Sequence, residues 1–231
     1  MTREPDQQTE QGRISPTRRG WFLGGAAFAA AAAFSSATLN DAFAQFGAAP
    51  PGEMQMGSGD IGILNFAYAL EQLEAAFYTR VLQAPYGGMD PFEKRVLRDV
   101  RDHEVAHVRF LRTALGPNAI GAVPVNFSAV DFANRESVLK TAMTFENVGV
   151  SAYNGAAQFL RNPAFLLAAG RIVSVEARHA AALSDLLYPF SPAFAGNDVV
   201  DSGGLDVSRS PQEVVPLVQP YIAAPLVPVR G

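Results

Sequence analysis

Two four-residue strings stand at corresponding places in two separate stretches of helical periodicity: Glu104-Val105-Ala106-His107 and Glu176-Ala177-Arg178-His179. The chain holds only three histidines, and two of them end these strings. Glutamate and histidine at i and i+3 project from one helix face, about one turn apart. Each string therefore aims a carboxylate and an imidazole the same way. Two such pairs, joined by one carboxylate from each of two other helices, make a four-helix site that holds two metal ions between bridging carboxylates. A fold that satisfies both strings needs four helices around a polar centre.

The rest of the chain supplies those helices. Four apolar-periodic stretches carry start and stop signals at their ends. Helix one is expected from Asp60, as N-cap, to Leu82, with Pro85 and Gly87-Gly88 ending it. Helix two opens at Asp90-Pro91-Phe92-Glu93: a cap, a proline at the first helical position, and an acid placed for a capping box. It stops at Gly116-Pro117. Helix three runs from Asn134 to about Leu160, and helix four from Asn162-Pro163 to just before Pro189. Short loops join helices one and two, and three and four, making each pair antiparallel neighbours. Residues 116–133 form one long connection without a period, which returns the chain along the bundle. The expected fold is all-α: a four-helix bundle over 60–188 with a long crossover between helices two and three.

The ends read differently. Residues 45–59 are rich in Gly, Pro and Met and are expected to be a linker. Residues 189–231 form a Pro-rich tail. Within it Ser210-Pro211-Gln212-Glu213 could cap one short helix that Pro216 and Pro220 would interrupt, and an irregular tail wrapped on the bundle is the alternative. Residues 1–44 read as an export signal. Thr17-Arg18-Arg19-Gly20-Trp21-Phe22 resembles the twin-arginine motif, an Ala/Phe-rich run follows, and Ala42-Phe43-Ala44 gives a small-x-small cleavage site. The expected product is periplasmic or extracellular. The alternative is a protein anchored by an uncleaved N-terminal segment, although the Ala/Gly-rich run is a weak spanning segment. A net charge of −4 with no basic block speaks against nucleic acid as a partner. The absence of cysteine removes disulfides, thiolate metal sites and cysteine nucleophiles.

The remaining ligands come from two apolar stripes. Helix one presents Leu64, Ala67, Glu71, Glu74, Tyr78 and Leu82 at i, i+3/i+4 spacing, and helix three presents Leu139, Met143, Glu146, Gly149, Tyr153 and Leu160. An ionised glutamate inside such a stripe is costly unless it is paired or bound to a cation. In both stripes a tyrosine follows the glutamate by seven residues, two turns along the same face. Glu71 and Tyr78 precede Glu104-x-x-His107, as Glu146 and Tyr153 precede Glu176-x-x-His179, so a two-helix unit repeats. The repeat predicts a pseudo-twofold site with Glu71, Glu104 and His107 on one side and Glu146, Glu176 and His179 on the other. Glu104 and Glu176 would bridge. The ligand type suits two iron or two manganese ions, able to act on a small oxidant such as peroxide or dioxygen. Tyr78 and Tyr153 are candidate catalytic side chains, with simple packing beside the site as the competing role. His103 points about 100° away from Glu104 and reads as structural or exposed. Asp99, Asp102 and Asp185 are candidates to orient the histidines, by sequence proximity alone.

At these residues the chain resembles the ferritin-like superfamily, and most closely its exported, twin-arginine-signalled ferritin-like domain proteins. Leu64-Asn65 followed by Leu70-Glu71-x-x-Glu74-x-x-Phe77-Tyr78 looks like their first helix, and the likeness covers about residues 58–190. It implies a two-metal bundle whose relatives include ferroxidases, peroxidases, manganese catalases, oxygenases and storage cages, and export by a machinery that carries folded proteins. Reaction and substrate do not follow from fold. A homo-oligomer is compatible with the resemblance, although the Gly/Pro/Met stretch and the long tail depart from the compact cage-forming members. A metal-binding or storage protein without turnover, and a metal-free structural protein of the envelope, are the competing functions.

Overall fold

The computed structural model describes residues 52–197 and 199–229, and the export-signal and cleavage segment lies outside them. The described chain is all-α apart from a two-strand clasp. Its elements are β1 (Met54–Gln55), α1 (Gly59–Gln83), α2 (Pro91–Leu115), α3 (Arg135–Ala156), α4 (Pro163–Leu187), α5 (Pro211–Val218) and β2 (Leu226–Val227). α1 packs along α2, α3 packs along α4, and the two hairpins close on each other through α1–α3 and α2–α4. The long segment between α2 and α3 is the expected crossover. No helix among the described residues is long and apolar enough to cross a membrane.

Local chemistry sets the helix starts. Asp90 caps α2 by accepting the backbone N–H groups of Phe92 (2.7 Å) and Glu93 (2.9 Å), and Asn134 and Asn162 cap α3 and α4. Two expected caps are spent elsewhere. Glu93 does not complete a capping box; its buried carboxylate pairs with Arg135 at 2.7 Å. Arg135 also donates to the Leu186 carbonyl (2.7 Å), so this side chain ties the first turns of α2 and α3 to the last turn of α4. Asp60 is not the N-cap of α1, a place taken by Ser58. Its carboxylate instead accepts the N–H groups of Arg161 (2.8 Å) and Asn162 (2.9 Å), pinning the α3–α4 joint against the start of α1. α3 ends at Ala156, and a 3-10 turn over Ala157–Phe159 replaces its expected last turn.

α1 is buried around nearly its whole circumference because the crossover and tail cover the side that the other helices leave open. The crossover has no ladder of its own, so side chains of α1 satisfy its backbone. Asn65 donates to the carbonyls of Met56 and Asn118 and accepts from the N–H of Ile120, each at 3.0 Å. Gln72 accepts from the N–H of Val123 at 3.1 Å. Under this cover Phe77 meets Phe145, Phe127 and Phe132 at centroid separations of 5.2, 5.7 and 5.8 Å, and Phe145 meets Tyr221 of the tail at 4.7 Å. Each buried ring contributes about 2 kcal/mol of transfer free energy, and the cluster fixes the turn of α1 that carries Tyr78.

The two ends of the described segment are packed together. Met54 and Met56, in the stretch expected to be a linker, are core residues. β1 pairs in parallel with β2, Met54 opposite Leu226 and Gln55 opposite Val227. The tail contains the short helix α5, with a complete capping box between Ser210 and Glu213 and Pro216 inside it. The Arg209 N–H donates to the Ser151 carbonyl of α3 at 2.9 Å. A Cβ at Gly155 would lie 1.9 Å from the Arg209 carbonyl oxygen, so the tail crosses α3 where only glycine allows that approach.

Candidate metal centre

Four helices bring the six sequence-predicted side chains to one place. α1 supplies Glu71, α2 Glu104 and His107, α3 Glu146, and α4 Glu176 and His179. All are buried except His107, which is half-buried. Their ligand atoms form two groupings, Glu71, Glu104, His107 and Glu176, and Glu104, Glu146, Glu176 and His179, with all atoms of each within 4.8 Å of one another. Glu104 and Glu176 belong to both. His107 Nδ1 lies 3.0 Å from Glu176, 3.2 Å from Glu71 and 3.3 Å from Glu104. His179 Nδ1 lies 2.9 Å from Glu104, 3.2 Å from Glu146 and 3.6 Å from Glu176. Each imidazole thus turns one nitrogen toward three carboxylates at once.

One ring nitrogen carries at most one proton, so it cannot satisfy three acceptors. Glu104 Oε1 and both oxygens of Glu176 are buried without a hydrogen-bond partner, despite the short separations from the histidines. Unsatisfied buried carboxylate oxygens cost several kcal/mol each in a protein interior. Lone pairs that converge and exceed the available protons are the donor set a cation would complete, and the residues present fit a bound metal.

The tyrosines cross between the halves. Tyr78 of α1 donates to Glu146 Oε1 of α3, and Tyr153 of α3 donates to Glu71 Oε1 of α1, both at 2.5 Å. Seven-residue spacing puts each tyrosine on the face of its own helix's glutamate, and the antiparallel packing of α1 on α3 passes it to the other one. Glu74, the seventh polar group, is 4 % exposed. It faces Gly149, where an added Cβ would lie 3.2 Å from Glu74 Oε1, so the glycine leaves room for this carboxyl group.

Burial and crowding set the protonation. Burial lifts the Glu104 carboxyl well above the usual carboxylate range, and the charges of Glu176, Glu146 and Glu71 add to this against a hydrogen bond from His107. Burial lifts Glu74 in the same way, reinforced by Glu146, Glu104, Glu176 and Glu71. Glu146 is raised by burial to about 8, although His179 pulls it down. Burial also works to raise Glu176, but the nearby imidazoles of His107 and His179 outweigh it and hold that carboxyl at about 2. Burial opposes a charged His179, yet the carboxylates of Glu104, Glu146 and Glu176 gathered around its Nδ1 push it up to about 12. His107 moves upward for the same reasons, with the charge of Glu71 leading. Without a cation the cluster keeps protons that a metal would displace.

The structure revises the role of the third histidine. His103 Nδ1 lies 2.9 Å from His179 Nε2, with the two rings within 7° of parallel. It is exposed, as one of the two expected readings has it, and its ring also reaches the candidate ligand His179. Burial and the neighbouring His179 and His107 lower its pKa. Among the described residues Asp99, Asp102 and Asp185 make no hydrogen bond to a candidate ligand; Asp102 pairs with Arg101 at 2.6 Å. His103, Ala106, His107, Val175, Arg178 and His179 line an open cleft between α2 and α4 beside the centre.

No curated protein matches the chain in a sequence search. A family model described as a ferritin-like domain matches residues 59–189, a span that begins with α1 and closes just after α4, and so contains every carboxylate and histidine of the cluster. With four helices, one long crossover and a buried carboxylate–histidine centre compatible with metal binding, the chain belongs to the ferritin-like domain family.

Proposed function

We propose that this chain is an exported protein that holds two iron or two manganese ions and carries out redox chemistry on peroxide or dioxygen. The observation that supports it best is the sharing of Glu104 and Glu176 by two groupings, each of which has its own histidine and its own further glutamate. Glu71 and His107 would complete one metal position and Glu146 and His179 the other. When bound, the paired metals supply two one-electron changes at adjacent positions to one small oxidant. The chain's own contribution is geometric. Tyr78 and Tyr153 hold the outer oxygens of Glu146 and Glu71, the Phe77 cluster keeps water from one side, and the α2–α4 cleft admits a small molecule from the other. Both tyrosines stand next to the centre with a proton acceptor already in place, the arrangement a catalytic tyrosine needs.

Export rests on Arg18-Arg19 and the apolar run after them. N-terminal sequencing of the secreted chain should begin at Gln45.

Metal content of the mature protein, purified from its native compartment without added metal, tests the core of the reading. About two iron or manganese per chain is the expected result, with peroxide lost catalytically on addition. Accumulation of many irons per chain after Fe(II) addition in air would replace redox turnover with storage. A folded bundle with no metal and no uptake on reconstitution would overturn the reading in favour of a structural role in the envelope.

A further inference from the structure

The two halves of the centre match in their ligand glutamates, histidines and tyrosines, and differ at Glu74 against Gly149, at Ala106 against Arg178, and at the residue before each string. Glu104 corresponds to Glu176 and His107 to His179 in the repeated Glu-x-x-His string. The residue before the glutamate is His103 in the first string and Val175 in the second. Both line the cleft between α2 and α4. His103 bonds across the pseudo-twofold axis to His179 of the other half. Val175, in the equivalent place, has no polar atom to offer His107. Among the described residues no group makes a hydrogen bond to His107 Nε2, which leaves that nitrogen to the cleft.

The geometry of the His103–His179 pair is directional. The ring planes differ by 7°, the centroids are 5.1 Å apart and the nearest nitrogens 2.9 Å apart. Rings this far apart at their centres and this close at their nitrogens meet edge to edge. His179 turns Nδ1 toward Glu104 and Glu146, so a metal on that nitrogen leaves the proton on Nε2, aimed at the lone pair of His103 Nδ1. A partner on the outer nitrogen of a ligand histidine fixes its tautomer and ring orientation.

Resting on the two-metal reading above, we propose that His103 is a positioning residue that makes the two metal positions unequal. It accepts the Nε2 proton of His179 and locks that ring with Nδ1 inward. The position completed by Glu146 and His179 therefore binds first and more tightly. The position completed by Glu71 and His107 has an unbraced histidine that opens on the cleft, and it binds second and exchanges faster.

Cobalt(II) titration of the metal-free chain, followed by visible absorption, tests this because each bound ion has its own ligand-field bands. Wild type should take up two Co(II) in two resolved steps. His103→Phe should weaken the first step by about 10- to 100-fold and leave the second unchanged, which merges the two. His103→Asn, whose Oδ1 takes the place of Nδ1, should restore the separation. Val175→His should tighten the second step alone. His103 lies on the exposed rim of the cleft, so folding, checked by circular dichroism, is not at stake. Two Co(II) in wild type with unchanged steps in His103→Phe, or with both steps weakened equally, would overturn the proposal and leave the two-metal reading intact. No Co(II) uptake by wild type would overturn both.

Discussion

Tyr78 on α1 donates its phenolic proton to Glu146 on α3, 68 residues further along the chain, at 2.5 Å. Its counterpart Tyr153 returns the bond to Glu71 at the same distance. The two halves therefore brace each other, and each glutamate depends on a tyrosine from the opposite helix. Removing one partner of a buried hydrogen bond costs about 1–3 kcal/mol. Tyr78→Phe should destabilise the protein by about that amount and couple to Glu146→Gln in a double-mutant cycle, while adding independently to Glu71→Gln. Tyr153→Phe should show the reverse pattern. Chemical denaturation of the four single and four double variants decides it. Coupling of Tyr78 to Glu71 would show that the crossed bonds do not form in solution.

Shared and unshared carboxylates should differ in kind. Glu104 belongs to both groupings and Glu71 to one. Glu104→Ala should abolish paired metal binding, whereas Glu71→Ala should leave about one metal per chain. Elemental analysis of the two purified variants gives the answer, and two metals retained in Glu104→Ala would remove the bridging assignment.

The metal-free protein should be most stable in mild acid. Glu146 rises from an ordinary 4.5 to about 8 on folding, so its protonated form favours the fold. That contribution is complete below pH 4.5 and is lost as pH climbs through 8. Glu74 and Glu104 shift in the same direction. His179, raised from 6.5 to about 12, adds stability below pH 6.5 that fades toward 12. Glu176, lowered to about 2, acts oppositely, and its contribution vanishes as pH falls from 4.5 toward 2. The thermal midpoint of the apoprotein should therefore peak near pH 4.5–5 and fall toward pH 8, each 1 kcal/mol moving it about 2–4 °C. Bound metal should reverse the trend, because it needs the carboxylates ionised and releases their protons. Scanning calorimetry with and without metal checks both signs.

The tail crossing at Gly155 is the most sensitive place for a methyl group. Gly155→Ala would drive Cβ into the Arg209 backbone and should cost about 1–3 kcal/mol, with faster amide exchange at Arg209. Gly170→Ala, on α4 with nothing within 4 Å of the new atom, should be neutral or stabilising by up to about 1 kcal/mol. Equal effects from the two substitutions would mean that the tail does not rest on α3.

The convergence of Glu71, Glu104, His107, Glu146, Glu176 and His179 is legible in spacing, because helical period and loop length together decide which faces meet. So are Asp90, Asn134 and Asn162 as caps, whose chemistry is local. The misread residues act over long sequence distances. Glu93 satisfies the local capping-box pattern yet goes to Arg135, 42 residues away, where its buried carboxylate finds a charged partner at the surface. Asp60, expected as a cap, serves backbone groups of the α3–α4 joint, which no short window contains. Met54 and Met56 look like linker residues because their partners come from the far end of the chain. For the contact of His103 with His179 the available signal is that Val175 stands in its place in the second string.

The clasp between Met54–Gln55 and Leu226–Val227 has a consequence for the order of assembly. A ribosome delivers α1 to α4 well before it delivers β2, at about 5–20 residues per second. The helices and the whole carboxylate–histidine cluster can therefore come together while β1 still lacks its neighbour. That strand pair joins segments from nearly opposite ends of the described chain, so it waits for the last part of the tail. It is a seal that forms late in synthesis, over a bundle already in place.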